Sequence, residues 1–125
     1  MSQVSSSPQQ QQTAKFNEVF DAGELEALFA RSQAAPVVLF KHSLTCPISA
    51  YAYREMSRVS AGAVPEIALV VVQHARATAN AIAERTGVRH ETPQAIILHR
   101  GASVWSASHY NITTDAIEQA VSDNS

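Results

Sequence analysis

Residues 37–49 read VVLFKHSLTCPIS, and the junction inside that stretch decides the fold. Val37, Val38, Leu39 and Phe40 form a continuous apolar run rich in β-branched residues, which predicts a buried central strand. Lys41 to Thr45 read as the loop at its C-terminal end, and Cys46-Pro47 opens a helix. Proline suits the first helical position, because its missing N–H would have no intrahelical acceptor there; Cys46 is then the N-cap. Ile48, Ala52, Met56 and Val59 follow on one apolar stripe. Cys46 is the only cysteine in 125 residues. That count excludes an intramolecular disulfide framework and any multi-cysteine metal site within one chain. Three roles stay open for the thiol: buried apolar packing, an intermolecular bond, or reactive chemistry.

On the N-terminal side, Leu25, Leu28 and Phe29 have helical spacing over residues 23–32, with Glu24 and Glu26 where the dipole favours acids. On the C-terminal side, residues 67–72, IALVVV, predict a second buried strand. Residues 76–85 predict a helix closed by Gly87. Residues 94–98 and 103–107 predict two strands joined by a tight turn, with Gly101 at positive φ. Thr113 caps a last helix over residues 114–122. The order is α β α β α β β α. The Ser/Gln-rich residues 1–13 predict a flexible tail before a single domain over 14–125, with Phe16, Val19 and Phe20 packing at its edge.

The formal charge of −2 argues against a nucleic-acid partner. Residues 41–109 are nevertheless net basic, and they contain the cysteine. A positive field there favours an anionic small partner and a thiolate. The N-terminus has neither the basic nor the apolar region of an export signal, and no apolar run is long enough to span a membrane. With a lone thiol, this predicts a cytoplasmic protein.

The element order resembles that of the thioredoxin fold. In that fold a cysteine lies between the first central strand and the next helix, and an X-Pro precedes the third strand. The resemblance implies an α/β protein with a central mixed four-stranded sheet flanked by helices, and a cis Thr92-Pro93 bond beside the cysteine. Residues 40–49, FKHSLTCPIS, are similar to the signature of the monothiol bacilliredoxin family (the YtxJ-like proteins). Thr92-Pro93-Gln94 and the Arg100-Gly101 turn also resemble that family, over roughly residues 16–122. The implied activity is thiol–disulfide exchange with mixed disulfides between proteins and a low-molecular-weight thiol, bacillithiol by resemblance.

Cys46 is the candidate nucleophile. At a helix N-cap its sulfur faces unpaired N–H groups and the positive end of the dipole, which favour thiolate over thiol. Ser49 occupies the second position of a Cys-x-x-Cys spacing and cannot resolve a mixed disulfide, so an external thiol or a cysteine of another protein must do so. Thr45, Pro47, Ser49 and Lys41 are the candidate supports of the thiolate, with His42 a further source of positive charge nearby. Thr92 and Pro93 are the candidate substrate groove. Lys41 and Arg100 are candidate contacts for a carboxylate-bearing thiol. The five histidines, His42, His74, His90, His99 and His109, show no compact ligand pattern, so no metal is expected. Expected partners are bacillithiolated proteins and the small thiol. Two alternatives come from other classes: a non-catalytic thioredoxin-like peptide-binding module, and a dimeric iron–sulfur carrier with one cysteine per subunit.

Overall fold

The computed structural model describes residues 12–125. Its strands are β1 (Lys15–Glu18), β2 (Val37–His42), β3 (Glu66–Val71), β4 (Gln94–His99) and β5 (Ala102–Ser108). They form one sheet in the order β1-β3-β2-β4-β5. β3 is parallel to both β1 and β2, whereas β4 is antiparallel to both β2 and β5. Helices α1 (Ala22–Arg31), α2 (Pro47–Met56), α3 (Arg76–Thr86) and α4 (Thr114–Asp123) cover the two faces.

Alternation along β2 explains why Val37 to Phe40 are apolar without a break; the strand runs on through Lys41 and His42, where the sequence predicts the following loop. Val38 and Phe40 join Ala52 and Met56 of α2 and Ile117 of α4 in one core layer. Leu39, pointing the other way, joins Leu28 of α1 and Ile82 of α3 in the second. A strand covered on both faces has no solvent side to keep polar. Burying each large side chain contributes roughly 1.5–3 kcal/mol, so these two layers supply most of the driving force.

The helix ends follow their sequence signals. Asp21 caps α1 by accepting from the Glu24 N–H at 2.9 Å, and Glu24 accepts in return from the Phe20 N–H at 2.8 Å. Thr113 caps α4 by accepting from the Ala116 N–H at 3.1 Å. Gly87 closes α3 at φ 74°. The β4–β5 turn has positive φ at both central residues, 56° at Arg100 and 77° at Gly101, the twist that a two-residue hairpin requires. The Thr92-Pro93 bond is cis, as the resemblance implied.

The sheet has five strands where the sequence predicted four. The added strand is β1, whose KFNE carries one apolar residue, too short an alternation to read as a strand. Parallel pairing of Phe16 with Ile67 and Glu18 with Leu69 creates it. Val19 is buried, but Phe20 is half exposed and stacks beside His74. Of the tail expected over residues 1–13, residues 1–11 lie outside the described residues. The Gln12 carbonyl accepts from Ala61, and Thr13 bridges to Ser60.

Candidate active site

Cys46 is the N-cap of α2, in extended conformation at φ −101° and ψ 120°, with Pro47 at the start of the helix. The residue is partly exposed. The thiol is held below the ordinary cysteine range, chiefly by the backbone N–H of Ser49. Partial desolvation opposes that shift, while the Ser49 hydroxyl and the Ile48 N–H add to it. These are the orphan donors of the first helical turn, and a thiolate satisfies them better than a thiol does.

Ser49 is fully buried. Its hydroxyl oxygen accepts from the Ser43 N–H at 3.3 Å, so its own proton stays available for the sulfur. Ser43 in turn organises the loop before the cysteine. Its hydroxyl lies 3.4 Å from the Thr45 hydroxyl and accepts from the Gln73 side chain at 3.0 Å. The Gln73 carbonyl oxygen accepts from the Leu44 N–H at 3.1 Å. The loop is thus pinned from the β3–α3 connection. Thr45 bonds to Ser43, its N–H donating to the Ser43 hydroxyl at 3.4 Å.

Lys41 is fully buried, and its Nζ donates to His90 Nδ1 at 3.0 Å. Burial lowers its pKa to about 8, with Glu91 opposing. His90 is itself lowered by desolvation first and then by Lys41 and Arg76, so it is the neutral acceptor of this pair. The contact ties β2 to the loop that carries Thr92 and Pro93. Lys41 therefore reaches the site through that loop, while Ser49 and Ile48 are the groups that act on the sulfur. His42, the next residue of β2, is also buried. Desolvation lowers its pKa, and its ring packs 5.0 Å from Tyr53 and 5.7 Å from Phe40.

Register places the remaining residues. Gln94, immediately after Pro93, pairs with Lys41, so the loops carrying Cys46 and Pro93 leave the same end of the sheet. The Arg100 turn is at the opposite end, where its N–H donates to the Ser32 carbonyl at 2.7 Å, too remote to contact anything bound at Cys46. Ser43, Gln73 and His90 were not singled out from sequence. Ser43 carried a signal, lying inside the FKHSLTCPIS segment; Gln73 and His90 carried none, being 30 and 49 residues from their partners. Among the described residues, no three His, Cys, Asp or Glu side chains form a group able to hold a metal. No described helix is long and apolar enough to cross a membrane.

A lone, activated, partly exposed thiol at a strand-to-helix junction can attack a disulfide but has no neighbouring thiol to finish the exchange. The comparisons agree with that chemistry. A thioredoxin-fold protein assigned as an oxidoreductase is 30% identical, with a TM-score of 0.77 over 84% of this chain and 92% of its own. Thioredoxin from Trypanosoma brucei brucei superposes with a TM-score of 0.69 at 15% identity, over 90% of this chain and 93% of its own. Thioredoxin f from spinach chloroplast gives 0.65 at 18%, over 89% and 94%. These last two show the fold alone. Residues 17–117 match the family described as monothiol bacilliredoxin BrxC. The chain therefore belongs to the monothiol bacilliredoxin family, built on the thioredoxin fold.

Proposed function

We propose that this protein reduces mixed disulfides between proteins and a low-molecular-weight thiol, bacillithiol in the first instance, with Cys46 as nucleophile. The observation that carries the reading is the Cys46 sulfur at the start of α2, its pKa lowered by Ser49 and Ile48. The Cys46 thiolate attacks the small-thiol sulfur of the protein mixed disulfide. A bond forms between the two sulfurs, the old S–S bond breaks, and the protein leaves as a thiolate that takes a proton from water. A second small-thiol thiolate then attacks the sulfur bound to Cys46, releasing the Cys46 thiolate and a symmetrical disulfide. One molecule of reduced small thiol is thus consumed for each protein thiol released, and the symmetrical disulfide is the oxidised product.

Ser49 stabilises the thiolate both as attacker and as leaving group, while Pro47 and Thr45 set the helix start and the loop before it. Lys41 holds the Thr92-Pro93 loop through His90, and Thr92 and Pro93 offer backbone to the modified protein segment. Regeneration by a small thiol requires a reducing compartment, which makes the cytoplasm the place of action. The test is intact-mass analysis of a bacillithiolated test protein incubated with the wild type and with Cys46→Ser. Loss of the adduct with the wild type alone supports the mechanism; loss with both overturns it.

A further inference from the structure

Gln73, in the connection between β3 and α3, bonds to the loop before Cys46 through both ends of its amide. Its carbonyl oxygen accepts from the Leu44 N–H at 3.1 Å, and its nitrogen donates to the Ser43 hydroxyl at 3.0 Å. A backbone N–H only donates, so the first contact fixes which way the amide points. The Ser43 oxygen also takes the Thr45 N–H at 3.4 Å. With two donors on that oxygen, its own proton is left for the Thr45 hydroxyl, 3.4 Å away. Among the described residues, Gln73 is the one side chain from outside residues 40–49 that bonds to Ser43, Leu44 or Thr45. Gln73 itself is exposed, whereas Ser43 and Ser49 are buried.

We infer that Gln73 is a positioning residue for Cys46: it holds Ser43 where the Ser43 N–H meets the Ser49 hydroxyl, and so governs, from outside the cysteine's own strand and helix, how strongly the start of α2 favours the thiolate. The inference rests on the exchange reaction proposed above and names a residue that controls its nucleophile. The Ser43 N–H donates to the Ser49 Oγ at 3.3 Å. That donor occupies a lone pair of the Ser49 oxygen and polarises its O–H bond, which makes the hydroxyl a better donor to an anion. The distance lies just past the usual range for N–H···O, so a small displacement of Ser43 ends the contact. Without the Gln73 amide, the Leu44 N–H and the Ser43 hydroxyl turn to water, and Ser43 is no longer held against Ser49. The backbone N–H groups of Ser49 and Ile48 remain, so the thiol keeps part of its activation.

The test is the pH dependence of iodoacetamide alkylation of Cys46 in the wild type, in Gln73→Leu, in Ser49→Ala and in the double variant. Leucine is close to glutamine in size and removes both bonds. Gln73→Leu is expected to raise the midpoint by about half a pH unit and to slow alkylation below the midpoint about three-fold. In the Ser49→Ala background the same substitution is expected to leave the midpoint where it is, because the hydroxyl through which Gln73 acts is gone. A loss of stability alone would not produce that dependence on Ser49. Ser43→Ala keeps the backbone N–H but removes the hydroxyl that Gln73 holds; it gives the same reading in a second variant, with a raised midpoint that again vanishes beside Ser49→Ala. An unmoved midpoint in both Gln73→Leu and Ser43→Ala, or shifts that add in full to that of Ser49→Ala, overturns the inference and leaves the exchange reaction standing. A wild-type midpoint at the ordinary thiol value of about 8.5 overturns the activation of Cys46, and both readings with it.

Discussion

The Ser49 hydroxyl oxygen accepts the Ser43 N–H at 3.3 Å, so one buried side chain both anchors the loop before Cys46 and keeps its own proton free to favour the thiolate. Ser49→Ala removes both functions. The Cys46 pKa is expected to rise toward the ordinary thiol range. Iodoacetamide alkylation at neutral pH should slow several-fold, and stability should fall by about 1 kcal/mol through the lost hydrogen bond. A pH–rate profile for alkylation checks this; an unmoved midpoint would place the activation elsewhere.

Ser49→Cys supplies the thiol that the Cys-x-x-Cys spacing lacks. A mixed disulfide on Cys46 is then expected to resolve within the chain. Intact mass after treatment with a small-thiol disulfide should show a loss of about 2 Da, in place of the stable adduct on the wild type. Persistence of the adduct would mean that buried position 49 cannot reach the sulfur.

The buried Lys41 predicts an unusual dependence of stability on pH. Its folded pKa is about 8, against an ordinary value of 10.5, so the unfolded chain holds more protons between those limits. Stability from this group therefore rises with pH across that window, and the burial cost is felt in full below it. Lys41→Met should stabilise the fold by about 1–3 kcal/mol at neutral pH and flatten the rise. Urea unfolding of both proteins at neutral and alkaline pH measures it. A destabilised variant would show that the contact with His90 outweighs the burial cost.

Glu55 joins the end of α2 to the start of α4. Its carboxylate accepts the Thr114 N–H at 2.9 Å, and the Thr114 hydroxyl donates to the Glu55 backbone carbonyl at 2.7 Å. The Thr114 N–H is the main cause of its lowered pKa, with desolvation opposing and the Thr114 hydroxyl, Arg58 and Arg54 assisting. A depressed carboxyl pKa contributes stability above the ordinary carboxylate range and loses it as pH falls through the folded value. Glu55→Gln is expected to lower stability by about 1 kcal/mol at neutral pH, with the difference from wild type vanishing in acid. Thermal melts across that range would show a constant difference if the charge were irrelevant.

Much of the architecture is readable along the chain because its cause is local. The apolar run from Val37 to Phe40, the proline after Cys46, Gly87 and Gly101 at positive φ, and the Thr113 cap each act within a few residues. The position of Cys46 and the absence of a second thiol at Ser49 are likewise properties of the linear sequence, and the proposed use of an outside thiol follows from them. Tertiary structure alone decided the rest. β1 exists because β3 offers it an edge, and its own pattern is too short to announce it. Lys41 meets His90, and Gln73 meets Ser43, across long stretches of chain. Along the sequence Lys41 and His42 stand close to Cys46 as candidate sources of positive charge, with side-chain direction left to decide. Folding instead buried both, turned Lys41 toward His90, and left stabilisation of the sulfur to the N–H groups and hydroxyl at the start of α2. Side-chain direction and desolvation decide which charges reach a site, and both arise only when distant segments pack.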